Sequence, residues 1–238
     1  MRNNITIGLV VPTSSDIVPS EGAQMYPGVN FVPCGVGVKA LTREGFDSAF
    51  EGIVPAASEL AKQNVEAIMV IGASLTFYRG FKAHEHLLEQ LSTLGLPVST
   101  MIRAMADGLR ALGARRIGVC TAYADAVNGR LRGFLTDSGF EVLALEGFGL
   151  EGFGAASEKS EEEITALAGR VIAKAKGAEA LLISCAALRT LDLDKIIEGK
   201  YGLPVVSSMP AAFWAALRLV GESAALPGYG RLLDPTRH

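Results

Sequence analysis

Two rhythms of apolar and polar positions alternate along this chain. Residues 5–11 form an unbroken, β-branched apolar run that stops at Pro12, and 67–71 form a second that stops at Gly72. Shorter runs at 97–101, 116–120, 141–145 and 180–184 have the same character. Apolar runs of this length, bounded by turn residues, read as buried strands. Between them the apolar positions fall at helical spacing. Over 44–62 they are Phe46, Ala49, Phe50, Ile53, Ala57 and Leu60, which share one helical face. The same spacing predicts helices over 102–112, 124–137, 160–176 and 210–220. The helix over 160–176 opens on Glu161, Glu162 and Glu163, where the helix dipole favours acids, and Gly177 follows its end.

Strands that are apolar on both faces and alternate with helices predict an α/β fold with parallel sheets covered on both sides. An internal repeat sharpens this. Val65 to Leu75 aligns with Ala178 to Leu188, Gly95 to Val98 with Gly202 to Val205, and Ile7 to Val10 with Ile117 to Cys120. The offsets are nearly constant and the order is kept, so the expected architecture is two pseudo-symmetric lobes. Each is a parallel sheet flanked by helices, with the site in the cleft between them. Residues 1–113 are assigned to the first lobe and 114–209 to the second, with 210–238 packing back on the first. Ligands in such sheets bind beyond the carboxyl ends of the strands. There the repeat makes Gly72 and Cys185 equivalent positions.

Composition narrows the function classes. A chain of 238 residues, 49% hydrophobic and only 20% charged, is a folded globular protein. A net charge of -3 with no Lys/Arg run argues against a strongly basic nucleic-acid binder. No apolar stretch reaches the ~18 residues of a membrane span, and the short run at 5–11 is not a signal-peptide core. Three cysteines, an odd number in a chain of this length, are expected to stay reduced. The expectation is a cytoplasmic protein, a monomer or small homo-oligomer, with no nucleic-acid or membrane partner.

Candidate chemistry follows the strands. Cys185 ends a strand-like run; if a helix begins at Ala186, its free N–H groups would acidify the thiol. The alternative is an inert, buried cysteine. Ser74, in Gly72-Ala73-Ser74-Leu75, either offers a hydroxyl to a carboxylate or caps the next helix; Thr76 excludes a nucleophile elbow. Tyr123 either donates to an anion or packs half-buried. Pro12 follows the first strand. The segment 147–154, rich in Gly and Phe, reads either as a mobile loop over the site or as a plain flexible connection. His84 and His86 are two apart on a helical stretch, point away from each other, and read as solvated surface. No metal-ligand spacing, Walker loop or complete dinucleotide fingerprint occurs, so no cofactor is expected. A thiol, hydroxyls and apolar side chains suit proton transfer at a carbon next to a carboxylate.

Longer segments carry a resemblance that runs nearly end to end. They are 72–80, 108–113, 121–123 with Val127-Asn128, 182–185, 204–208, Phe213-Trp214 and 227–232. With them the chain resembles the aspartate/glutamate racemase superfamily, and within it the arylmalonate decarboxylase family. The resemblance implies cofactor-free decarboxylation of an α-aryl or α-alkenyl malonate, a small dicarboxylate, to a chiral monocarboxylic acid. It implies that Cys185 is the proton donor and that Gly72 stands where other superfamily members carry a second cysteine. It also implies that Ser74 and Tyr123 hold the retained carboxylate in a dioxyanion hole. Val38, Leu41, Phe46, Leu75, Phe153 and Ala156 match the apolar residues around the departing carboxylate. The chain departs from the family pattern at Ala73, where the family has threonine, and at Ala186, where it has glycine. Phe153 replaces a smaller aliphatic residue. Maleate cis–trans isomerase, or a racemase relative, is the alternative within the superfamily. A non-catalytic carboxylate-binding protein is the alternative outside it.

Overall fold

A computed structural model describes residues 2, 4–38, 42–151 and 154–234. They divide into two compact units, 1–104 with 212–224, and 105–211 with the residues from 225 onward. The expected boundary at Gly113 differs from this division, which cuts a helix at 104/105. Of the C-terminal stretch expected on the first lobe, only 212–224 groups there. The first unit gains Phe213, whose ring meets Phe31 edge-on at 5.1 Å. The backbone N–H of Arg231, in the later segment, donates instead to the Glu198 carboxylate in the second unit.

The first unit carries β1 (Ile5–Val11), α1 (Ser20–Met25), β2 (Val29–Gly35), α2 (Arg43–Ala61), β3 (Ala67–Val70), α3 (Ala73–Phe77), α4 (Phe81–Ser92) and β4 (Val98–Thr100). Helix α5 (Met101–Ala111) leads into the second unit. There follow β5 (Arg116–Tyr123), α6 (Asp125–Asp137), β6 (Glu141–Leu150), α7 (Glu161–Lys174), β7 (Ala180–Ser184), α8 (Leu193–Tyr201) and β8 (Val205–Ser207). Helix α9 (Ser208–Leu219) returns to the first.

Each unit holds a four-stranded, all-parallel sheet, ordered β2-β1-β3-β4 in one and β6-β5-β7-β8 in the other. The two orders are the same when strands are matched through the repeat. The runs at 5–11, 67–71, 116–120 and 180–184 form the inner strands β1, β3, β5 and β7, and those at 97–101 and 141–145 form the edge strands β4 and β6. Ile5, Ile7, Leu9, Ile68, Met69, Leu181, Leu182 and Ile183 are fully buried. The apolar stripe of α2, through Ala49, Ile53, Ala57 and Leu60, packs on β1 and β3. In the second unit Ile164, Leu167, Ala168 and Val171 of α7 join Leu181 and Ile183 in one core cluster. A capping box starts α7, with Ser160 and Glu163 bonding each other's backbone N–H.

Several elements differ from the expected pattern, among them α1, α8 and β8, which no run or spacing predicted. Strand β2 was not predicted; it contains Pro33, which has no N–H to donate, and a proline strand is tolerated at a sheet edge, where β2 lies. Strand β5 runs on to Tyr123, past residue 120. Strand β6 runs on to Leu150, so residues 147–150 of the 147–154 segment are edge strand, while residues 152 and 153 lie outside the described residues.

Candidate active site

The predicted site residues fall into one group per unit. In the first, β3 ends at Gly72, whose φ of 105° and ψ of 94° lie where glycine alone is at ease. A Cβ added there would meet Leu75 and Pro12 at 3.5–3.7 Å, ordinary contact distances, so the backbone and not crowding selects glycine. Helix α3 begins at once, with Ala73 and Leu75 buried and Ser74 half-buried. Gly72 is the N-cap of α3, so Ser74 stands inside the helix and is not its cap. Pro12 follows β1, and its carbonyl accepts the N–H of Val38 at 2.8 Å. Val38 and Leu75 belong to one apolar cluster with Val10 and Ala49. Phe46, buried on α2, stacks on Tyr78 with centroids 4.4 Å apart. Leu41 lies outside the described residues, as does Phe153 of the second group.

In the second unit β7 ends at Ser184 and Cys185 follows directly. No helix begins at Ala186: residues 186–188 form a turn, and α8 starts only at Leu193. The short turn still directs the backbone N–H groups of Ala187 and Leu188 toward the Cys185 thiol, which lowers its pKa, but burial is the stronger influence and pushes it up. The backbone there is fixed by Ser208, whose Oγ accepts the N–H of Cys185 at 3.0 Å and donates to the carbonyl of Ile183 at 3.3 Å. Tyr123, the last residue of β5, is buried, and its hydroxyl lies 3.5 Å from the Ser184 Oγ. Ala186 is half-buried, and Ala156 belongs to the apolar cluster against which Cys185 packs. The second unit thus brings Cys185, Tyr123, Ala186 and Ala156 together; the first brings together Pro12, Val38, Gly72, Leu75 and their neighbours.

Several polar residues escaped the pattern. His84 was expected on the surface but is buried, with Nε2 2.8 Å from the Thr100 Oγ1 at the end of β4. Burial holds its imidazole below the usual histidine range, against the pull of Glu85. Asp194 on α8 accepts a hydrogen bond from the Ser207 Oγ at 2.5 Å, while its buried Oδ1 has no hydrogen-bond partner among the described residues. Burial, with Glu198 one turn away, holds that carboxyl well above the usual range, although Ser207 pulls it down. Ser208 carried one available signal, a Ser-Ser pair directly after an apolar run, at the strand-end position where ligands gather in such sheets. Cys34, Cys120 and Cys185 are free thiols. Among the described residues no group of three or more His, Cys, Asp and Glu side chains is arranged to hold a metal ion. Nor is any helix long and apolar enough to cross a membrane.

Comparison with known proteins finds relatives along nearly the whole chain. The family model described as arylmalonate decarboxylase matches residues 7–233. The arylmalonate decarboxylase of Bordetella bronchiseptica is 40% identical over 231 residues, covering 96% of each chain. The maleate isomerase of Nocardia farcinica is 28% identical over 245 residues, covering 95% of this chain and 94% of its own. A crystal structure of a liganded arylmalonate decarboxylase variant, with one glycine changed to cysteine and one cysteine to serine, superposes with a TM-score of 0.94. It is 39% identical and covers 97% of this chain and 99% of its own.

Proposed function

This chain belongs to the arylmalonate decarboxylase family and is a decarboxylase, and from that premise we propose that it converts an α-aryl or α-alkenyl malonate to a chiral monocarboxylic acid without a cofactor. The observation that carries the mechanism is the placement of Cys185. It directly follows the end of β7, packs against an apolar cluster and has its backbone N–H held by Ser208, and burial there pushes the thiol pKa up, which suits a group that gives a proton rather than one that attacks as a thiolate. The bond between the α-carbon and one carboxylate breaks, and CO2 leaves. The electron pair stays on the α-carbon and spreads into the retained carboxylate as an enediolate. The Cys185 S–H gives its proton to that carbon, and water restores the thiol.

On this reading the hydroxyls of Tyr123 and Ser74 donate to the two oxygens of the enediolate, where negative charge grows. On the same reading the apolar side chains Val38, Phe46 and Leu75 of the first unit and Ala156 of the second favour neutral CO2 over the anion. Ala73 adds no hydroxyl, and Ala186 adds a methyl beside Cys185; both tune which malonates fit. One donor reaches one face of a planar enediolate, so the product is a single enantiomer.

Incubating the protein with phenylmalonate and, separately, with maleate tests the proposal. CO2 from phenylmalonate, no fumarate from maleate, and a rate unchanged by EDTA are expected. Fumarate without CO2 would transfer the chain to the maleate-isomerase reading, with Cys185 as one of its groups. Neither product would leave a carboxylate-binding protein. A chelator-sensitive rate restored by a divalent ion would overturn the cofactor-free mechanism.

A further inference from the structure

Two strand positions before its end, β5 leaves regular pairing with β6: Thr121 pairs with Gly147, but Tyr123 pairs with Leu150, so the register shifts between them. Such an irregularity re-aims the side chain that follows and leaves main-chain groups to be satisfied in another way. Here two buried side chains do so. The Thr121 hydroxyl donates to the Asn128 Oδ1 at 2.6 Å. The same Thr121 Oγ1 accepts the Tyr123 N–H at 3.1 Å. The Asn128 Nδ2 donates to the Tyr123 carbonyl at 3.0 Å. An amide has both an acceptor and donors, and only that combination closes this ring. Thr121 and Asn128 are both buried, at 0% and 5% exposure, so water does not substitute for either.

The neighbouring strand is shaped around the ring. A Cβ at Gly147 would lie 2.4 Å from the Tyr123 carbonyl oxygen, 2.6 Å from the Thr121 Oγ1 and 2.8 Å from the Asn128 Nδ2. These are distances real Cβ atoms do not adopt, so glycine stands at 147 because the ring occupies that space. The ring also joins Tyr123 to the Cys185 strand. Thr121 is the register partner of Ser184 on β7, and the Tyr123 hydroxyl is 3.5 Å from the Ser184 Oγ.

We infer that Asn128 and Thr121 are positioning residues that clamp the Tyr123 main chain at the β5 irregularity and so set where the Tyr123 phenol points. The inference rests on the reading of Tyr123 as a carboxylate holder given above. Asn128 does not touch the substrate; it acts through Tyr123. Gly147 completes the clamp by leaving room for it.

The test is a kinetic cycle on phenylmalonate. The proteins are wild type, Asn128→Ala, Thr121→Val, Thr121→Ser and Tyr123→Phe, and the two clamp-breaking substitutions in the Tyr123→Phe background. A side chain displaced by ~1 Å costs up to ~10²-fold, so Asn128→Ala and Thr121→Val should each lower kcat/KM by about 10-fold or more. Thr121→Ser, which keeps the hydroxyl, should restore most of it. In the Tyr123→Phe background the same substitutions should cost no more than about twofold further, because residues in one network are not additive. Equal losses in both backgrounds, no loss in either, or failure of both clamp-breaking variants to fold would assign the clamp to the fold alone and overturn the inference. If Tyr123→Phe itself keeps wild-type turnover, the fault lies in the role given to Tyr123, a result distinct from the others.

Discussion

The ends of β3 and β7 invite a direct comparison, since they occupy the same place in two sheets of identical order. At the end of β3 the chain takes a glycine-only backbone at Gly72 and enters a five-residue helix. At the end of β7 it takes an ordinary backbone, places a thiol, and turns for several residues before the next helix. One strand end is specialised through its main chain and the other through its side chain. The repeat keeps the hydrogen-bonded frame, where each strand is constrained by its neighbours. It lets go at the residues just beyond the ladder, where no neighbour dictates the next φ and ψ.

Four substitutions sharpen that contrast. The largest effect is expected at the side-chain end. A serine hydroxyl is a far weaker acid than a thiol, so Cys185→Ser should lower turnover by ~10²–10⁴-fold while circular dichroism and Tm stay near wild type. A variant keeping more than half of the wild-type kcat would remove Cys185 from the mechanism. At the main-chain end the damage should fall on stability. Gly72→Ala keeps its contacts but must adopt a positive φ, which costs about 1–2 kcal/mol. Urea unfolding measures this directly, and an unshifted midpoint would mean that the backbone at 72 relaxes freely.

The smallest effect is in the pH dependence of stability, where each unit contributes a buried group of opposite sign. His84 has its pKa lowered in the folded state by burial, with Glu85 and Arg103 near it. Its contribution is therefore present above the unfolded histidine value of about 6.5 and is lost as pH falls below it. Asp194 has its pKa raised by burial and by Glu198. Its contribution is present below the unfolded value of about 3.9 and is lost as pH rises toward the folded pKa. His84→Gln should flatten the acid limb of a Tm-against-pH curve, and Asp194→Asn the limb that falls from acid toward neutral pH. Curves parallel to wild type would show that neither group titrates differently on unfolding.

The frame was legible in the sequence because burial on both faces leaves continuous apolar runs, and because the repeat aligns three of them at once. Cys185 was legible as a strand-end residue in such a repeat; the donor role proposed for it came from the resemblance. What escaped was hydrogen bonding. His84 looked like a surface residue because helical periodicity registers a charged neighbour such as Glu85, not the Thr100 hydroxyl sixteen residues away that satisfies the ring. The seat of Cys185 is Ser208, twenty-three residues on. Such pairs have no period. Pro33 misled for a related reason: it is a poor residue in a strand interior, and only knowledge that β2 lies at an edge makes it acceptable.

The first unit is assembled from two stretches of chain, and vectorial synthesis makes one of them very late. Its first 104 residues leave the ribosome long before 212–224 exist, yet that last segment closes their core. The Tyr26 hydroxyl donates to the Ala224 carbonyl across a separation of 198 residues. Phe213 fills the space beside Phe31 and Gly22. Arg2 pairs with Glu222 from the opposite end of the chain. A nascent chain stopped before 212 therefore carries an uncovered apolar face, whereas the second unit lacks only its short terminal segment. Domains ordinarily fold from the N-terminus as they emerge. Here the unit that is begun first is finished nearly last, and until then that apolar face stays open to water.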